Sequence, residues 1–592
     1  MTFKKKLQEI VSWSSTRLSE QNTILILSVF VGAIAATAAI VLKNAVYFTH
    51  QMLQQSFPAT EYNFLYLAFP VIGITLTVLI IHFFIKDDLS HGVTKVLYAI
   101  AKKNGKLKLH HTYSSVITST LTVGFGGSVG LEAPITLTGS AIGSQLGSFF
   151  HLKNKSVVLL TACGSTGAVA AIFNAPIAAI IFAIEVLMLD LTTLSLLPLL
   201  TSAVTGTILS YLFLGKTVMF NAIPVVPDFE VSNLPYYVIL GLFVGILSLY
   251  FMRTTTIIER LFVKVRKKWM KILIGGTLLS VLIFLFPSFY GEGYDNIADI
   301  LMGKSDSLFN NSPFYKYKYN SFTFIVFIFS LLLFKPFATG FTNAAGGIGG
   351  VFAPTLYLGG IAGFFIVYCL NFLFGIELSV INFVLAGMAA LMGSVMKAPL
   401  TAIFLIAEIS KGYQLFIPLI ITTVIAYIVF YYFEKYSIYT KPLAEKGLLI
   451  THDKNKHALS KIDIMEIVEN DFSIISPHAT LKDLIVLIEN SNRNVFPVVD
   501  ENSVFCGVIV LDDVRKDIFH QETYSRPIKE YIYLPKTSIH PKESMLSVVN
   551  KFKQTGYYNM PVIDKEGKYY GFVSRANAYT QYREIVEEIS ED

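Results

Sequence analysis

The sequence predicts a polytopic all-α membrane protein that continues into a soluble α/β module, and three observations lead there. A mean hydropathy of +0.57, with 53% hydrophobic and only 15% charged residues, is too apolar for a soluble chain of 592 residues. Uncharged runs near spanning length recur as far as Phe433, among them Phe64 to Ile85 and Ile272 to Tyr290. From residue 434 the composition turns charged and polar, opening with "EKYSIYTKPLAEKG".

Residues 1–22, "MTFKKKLQEIVSWSSTRLSEQN", are amphipathic and partly basic, with no small-residue cleavage site ahead of the first apolar run, so a cytoplasmic N-terminal segment is expected. The membrane domain is expected over 23–433, in two homologous halves at about 23–215 and 235–433. Between Ser114 and Val186 the apolar segments shorten to roughly 10–16 residues and are broken by Gly and Pro, as in tilted or half-spanning helices. Basic clusters at 4–6, 102–108 and 253–271 flank hydrophobic segments, whereas 218–234 has no Lys or Arg and "YGEGYDNIADILMGKSD" is acidic. The formal net charge of +6 is therefore a positive-inside bias with cytoplasmic termini, and nucleic acid is not expected as a partner. Cys163, Cys369 and Cys506 lack the spacing of a disulfide framework or a metal site.

The soluble part follows a linker at 434–462 and repeats itself. "FPVVDENSVFCGVIV" at 496 and "MPVIDKEGKYYGFVS" at 560 align at an offset of 64, giving repeats at 463–525 and 526–592. Each reads as strand, helix, strand, turn, strand, helix, with the first helices at 481–490 and 545–554. The membrane part is duplicated too. "APIAAIIFAIE" (175–185) is matched by "APLTAIFLIAE" (398–408) at an offset of 223, and "GGSVGLEAP" (126–134) by "GGIGGVFAP" (346–354) at 220. Such duplication, with breaks at matching places, points to a transporter or channel whose site lies where the halves meet. The offsets leave open whether the halves are parallel or inverted.

A Gly-rich turn entering an apolar helix leaves unpaired backbone N–H groups aimed outward, and these attract an anion. Two such turns converging at mid-membrane could hold a halide without any full cation, and neither contains Lys, Arg or His. The acids near these turns are few: Glu132, Glu185 and Glu408. Glu132 could take the place of a halide and leave it when protonated, which would make it a gate; the plainer alternative is a carboxylate that caps neighbouring N–H groups. Glu185 and Glu408 occupy equivalent repeat positions and read as buried structural acids.

At these residues the chain resembles the CLC family of chloride channels and proton-coupled chloride antiporters. "GLEAP" (130–134) is similar to its gating-glutamate motif, "GVFAP" (350–354) to its second anion motif, "FNAPIAAIIFAIE" and "APLTAIFLIAEISKGYQLFIPL" to its interface helices, and "SIYTKPLAEKG" (437–447) to the end of its last membrane helix. The resemblance covers about 23–445. It implies a CLC-type inverted repeat, a homodimer with a separate pore in each subunit, and a gate at Glu132. It implies anion contacts at Ser90, His91, Gly92, Gly130, Leu131, Val351, Phe352 and Tyr439.

Two departures stand out. The family's first anion motif, usually Gly-Ser-Gly-Ile-Pro, is "SHGVT" here, with His91 in the serine position and Thr94 in that of the proline. A neutral imidazole could donate to a halide and a protonated one would add charge; an ordinary histidine at a helix start is the alternative. Many antiporters of the family carry an internal proton-transferring glutamate where this chain has Val186, a residue shared with family channels. The main reading is therefore a voltage- or pH-gated chloride channel, the alternative a Cl⁻/H⁺ antiporter. A metal-ion transporter fits less well, since hard cations need more oxygen ligands than these motifs offer. No enzyme constellation and no metal site is evident. The tail resembles a cytoplasmic pair of CBS domains. Its ribose-contacting motif appears as "GVIVLDD" (507–513) and "GFVSRAN" (571–577), making Asp513, Ser574 and Asn577 candidates for one adenine nucleotide, with a purely dimer-forming pair as the alternative. No cofactor is required by the transport reading.

Overall fold

Long uncharged runs can satisfy their backbone groups in a bilayer only as helices, and the first part of the chain is built from them. In the computed structural model, residues 19–54, 63–189, 193–215, 226–410, 412–446, 459 and 462–591 are described. Residues 1–18 of the amphipathic start, 218–225 of the loop without basic residues, and 447–458, 460 and 461 of the linker lie outside them. The chain divides into two units, 1–449 and 450–592.

The first unit comprises α1 (Glu20–Gln54), α2 (Phe69–Ile80), α3 (Gly92–Lys102), α4 (His111–Gly124), α5 (Glu132–Phe149), α6 (Asn154–Phe173), α7 (Pro176–Glu185), α8 (Thr193–Leu214), α9 (Leu234–Val263), α10 (Lys268–Leu285), α11 (Tyr294–Leu301), α12 (Ser321–Ala344), α13 (Phe352–Phe374), α14 (Val380–Met396), α15 (Pro399–Ile409), α16 (Phe416–Phe433) and α17 (Lys441–Glu445). Among the described residues, nine helices are long and apolar enough to cross a membrane, and α7, α14 and α15 are shorter apolar pieces. The expectation of short segments between Ser114 and Val186 is met by α4 and α7 and corrected at α5 and α6, which run 18 and 20 residues. Their glycines pack the helices instead of breaking them. A Cβ on Gly143 would lie 1.9 Å from the Leu160 carbonyl oxygen, and one on Gly164 1.9 Å from that of Gly139. The second half repeats the device where α13 crosses α14, with Gly363 against the Phe383 carbonyl and Gly359 against that of Gly387.

The two halves meet through reciprocal contacts. Gly130 and Gly350, equivalent positions, form an antiparallel bridge with N···O distances of 2.8 and 2.7 Å. The Ser128 N–H donates to Thr342 Oγ1 at 3.1 Å and the Ile348 N–H donates to Thr122 Oγ1 at 3.0 Å. Glu185, at the end of α7, accepts from the N–H groups of Leu400 and Thr401 at the start of α15 (3.1 and 2.8 Å). Glu408, at the end of α15, returns the cap to Ile177 and Ala178 at the start of α7 (3.0 and 2.8 Å). Equivalent residues that exchange bonds in this reciprocal way relate the halves by a two-fold axis, in keeping with the inverted arrangement. Each carboxylate also satisfies helix-start donors that bilayer lipid could not, the structural role expected for both acids.

The second unit holds two similar pieces. In the first, α18 (Leu481–Glu489) precedes β1 (Val495–Val499), β2 (Phe505–Val510) and α19 (Leu511–Val514); in the second, α20 (Met545–Thr555) precedes β3 (Asn559–Ile563), β4 (Tyr569–Ser574) and α21 (Arg575–Glu591). Each strand pair is antiparallel, with a register shift at Val498/Val499 and at Val562/Ile563. The strand expected ahead of each helix is reduced to one parallel bridge, Ile475 to Val498 and Ile539 to Val562. Thr480 and Asp483 close a capping box on α18, and the Thr480 N–H holds the Asp483 carboxyl below its usual range.

Candidate anion and proton site

Both Gly-rich turns use a left-handed glycine at the same repeat position, Gly126 at φ 98° and Gly346 at φ 105°, which turns the chain into the starts of α5 and α13. Glu132 is the first residue of α5 and is 3% exposed. Its Oε1 accepts a short hydrogen bond from the Tyr294 hydroxyl. Its Oε2 folds back over Gly130, where a Cβ would lie 2.0 Å from that oxygen, 2.9 Å from Ala353 Cβ and 3.0 Å from the Ala353 nitrogen. The carboxylate thus sits between the starts of α5 and α13, the place where converging N–H groups favour negative charge.

Around it are groups the sequence reading missed. Glu292 Oε1 accepts from the Leu131 N–H at 3.3 Å, so a second carboxylate reaches the start of α5. Lys335, fully buried, donates from Nζ to Ser128 Oγ at 2.9 Å and lies 4.6 Å from the Tyr357 ring centre. Lys43 of α1 is within electrostatic reach of Glu292, Asp295 and Glu132. The two turns themselves hold no Lys, Arg or His, but a buried lysine from α12 reaches the first of them through Ser128, 207 residues away in sequence. Signals existed, since Lys43 and Lys335 are lone charges in apolar runs, where an ionisable group is a functional hypothesis by default.

Of the remaining candidates, His91, Gly92, Val351 and Tyr439 line one cavity of about 210 Å³ together with Glu259 and Gly350. His91 precedes α3 with φ 53°. Tyr439 is buried; its hydroxyl contacts Met396 Sδ at 4.0 Å, and its carbonyl accepts from Thr94 Oγ1 at 2.9 Å. The threonine in the family's proline position thus ties α3 to the segment before α17. Ser90 stands apart from that cavity: its N–H and hydroxyl both donate to Asp88 Oδ1, at 2.8 and 2.7 Å. Gly130 and Leu131 belong to the Glu132 cluster, and Phe352 stacks on Phe173 with ring centres 5.0 Å apart.

In the second unit, Ser574 Oγ donates to Glu469 Oε1 at 2.5 Å, and the Asn577 side-chain amide donates to the Ile467 carbonyl at 3.2 Å, which gathers these two at the start of α21. Asp513 is exposed on α19 of the other piece. Glu469 also takes Arg493, whose guanidinium carbon lies 4.6 Å from the Phe472 ring centre. Asp87, His110 and His111 bring ligand-type atoms within 4.8 Å of one another, three where a structural zinc takes four. Asp87 is committed elsewhere: burial opposes its charge, yet hydrogen bonds from Lys108 and His110 hold its carboxyl at about 2.

An inverted-repeat membrane unit with paired helix starts around a buried carboxylate, followed by a tandem α/β module, defines an anion-pathway protein of the transporter and channel class. Residues 72–431 match the voltage gated chloride channel family, and 464–520 and 528–580 each match the CBS domain. The chain belongs to the voltage gated chloride channel family. It is 27% identical over 384 residues to a chloride channel protein of ClcB-like type from Ralstonia nicotianae, covering 63% of this chain and 84% of that one. It is 30% identical over 318 residues to the H(+)/Cl(-) exchange transporter ClcA of Vibrio cholerae, covering 51% of this chain and 62% of that protein's length. A slow cyanobacterial Cl⁻/H⁺ antiporter of solved structure shares the fold, at a TM-score of 0.62 and 22% identity, over 73% of this chain and 99% of that one.

Proposed function

We propose that this protein exchanges chloride for protons across the cell membrane, as a homodimer with one pathway in each subunit and both termini in the cytoplasm. The observation that carries the reading is the Glu132 carboxylate lodged between two helix starts, where it and a halide compete for one place. A carboxylate there leaves its place when it takes a proton, which couples the two ions. The similarity to a protein named as an H(+)/Cl(-) exchange transporter supports exchange over the passive channel that Val186 suggested. His91, Gly92, Val351 and Tyr439 offer donors along the anion's inner path, Val351 and Phe352 through backbone N–H groups, while Gly130 and Leu131 do so beside the gate. Ser90 has both donors on Asp88 and contributes least. Exposed Ile177 and Leu400, on the mutually capped α7 and α15, suit a subunit contact.

The CBS pair regulates this activity, and Ser574 and Asn577 would meet the ribose of one adenine nucleotide, with Asp513 in the other repeat left outside it. The transport reading is tested in liposomes with an imposed chloride gradient and voltage clamped by a potassium ionophore. Protons driven against their own gradient support exchange; chloride flux with no proton movement overturns it in favour of a channel.

A further inference from the structure

The exchange reading raises a question that the usual glutamate answers elsewhere: with Val186 buried and unable to take a proton, which group trades protons with the inner solution? Glu185 and Glu408 are excluded, because their oxygens are spent capping α15 and α7. The inner side follows from connectivity. Helix α9 runs from Leu234 to Val263, the basic stretch at 264–268 follows it, and α10 returns to Leu285. Glu292 and Tyr294 therefore lie on the face opposite to the end of α9, and the basic stretch marks that end as inner. Glu259 sits one turn before it.

We propose that Glu259, paired with His91, is the inner proton acceptor of this transporter. It shares the cavity of about 210 Å³ with Gly350, Val351 and Tyr439, so it opens onto the segment that leads to Glu132. A cavity of that size holds several waters at roughly 30 Å³ each. Glu259 Oε2 lies 3.9 Å from His91 Nε2, and the two side chains are 34% and 45% exposed, within reach of the inner solution. The other charges lining this cavity are paired: Arg260 with Glu445 at 2.7 Å and Lys441 with Glu434 at 3.0 Å. A pair this long and this exposed adds little to stability, so stability alone gives no reason to keep a carboxylate at the entrance of an anion path. In each cycle the proton released inward by Glu132 crosses the cavity by water, binds a Glu259 oxygen and leaves to the inner solution, with the His91 imidazole standing 3.9 Å from that carboxylate. This rests on the exchange reading.

The test measures chloride-driven proton flux and chloride flux for the wild type, Glu259→Gln and Glu259→Asp in the same liposomes. Losing a positioned proton carrier should cut proton flux by about a hundredfold in Glu259→Gln while chloride flux persists, with Glu259→Asp restoring much of it. Wild-type proton flux in Glu259→Gln overturns the proposal and leaves exchange standing. Absence of proton flux in the wild type removes exchange, and this role with it. Should Glu259→Gln yield no folded protein, Glu259→Asp decides, since a carrier of different acidity shifts the inner-pH profile and an unchanged profile counts against the role.

Discussion

The two sides of Glu132 are built differently. On the side that the basic stretch at 264–268 would make the outer one, the carboxylate is crowded by bonded polar groups: Tyr294 on Oε1, Glu292 on the neighbouring Leu131 N–H, Lys335 on Ser128, and Lys43 in electrostatic reach. On the opposite side there is a cavity in which the Tyr439 hydroxyl hydrogen-bonds to a methionine sulfur, and in which His91 and Glu259 stand partly exposed. The contrast separates two tasks. A gate needs a defined closed position, which dense bonding supplies; an ion entering from inside needs donors not already taken.

The first way to break the comparison is at the outer network. Lys335→Met removes the buried amine that donates to Ser128 Oγ and leaves that hydroxyl without this partner; a loss of about 1–3 kcal/mol is expected, the usual cost of orphaning a buried polar group, read as a lowered melting temperature in detergent. Next comes the gate: Glu132→Gln should abolish proton coupling and pH control, a proton-flux loss of about a hundredfold or more, while chloride still flows. Surviving pH control would remove Glu132 from its role. A control lies away from both sides: Glu408→Ala orphans the α7 start and should cost about 1–3 kcal/mol with anion selectivity and proton coupling unchanged. The smallest effect on transport is expected for Tyr294→Phe, which removes one hydrogen bond to Glu132 and should shift the outer-pH midpoint for chloride flux without ending coupling. The same shift after an inner substitution such as His91→Ala would erase the distinction between the sides.

Much of this was legible because the repeat wrote it twice. "GGSVGLEAP" against "GGIGGVFAP" located both helix starts, and the paired "AIE" and "IAE" ends picked out Glu185 and Glu408 as structural. How the halves are joined was not legible, since an offset is the same for parallel and inverted copies; their two-fold relation needed the Gly130 to Gly350 bridge and the exchanged caps of Glu185 and Glu408. Lys335 and Glu292 were missed because the site was sought within the two turns, whereas their contacts close over 207 and 161 residues. The glycines of α5 and α6 misled for a related reason: locally a glycine weakens a helix, but between crossing helices it is the residue that fits.

The most direct test of the account is the reversal potential of the reconstituted protein at a fixed chloride gradient while the proton gradient is varied. Coupled exchange through Glu132 predicts a reversal potential that moves with the proton gradient in the wild type and stays at the chloride equilibrium potential in Glu132→Gln. A wild-type reversal potential pinned to chloride at every proton gradient would contradict it.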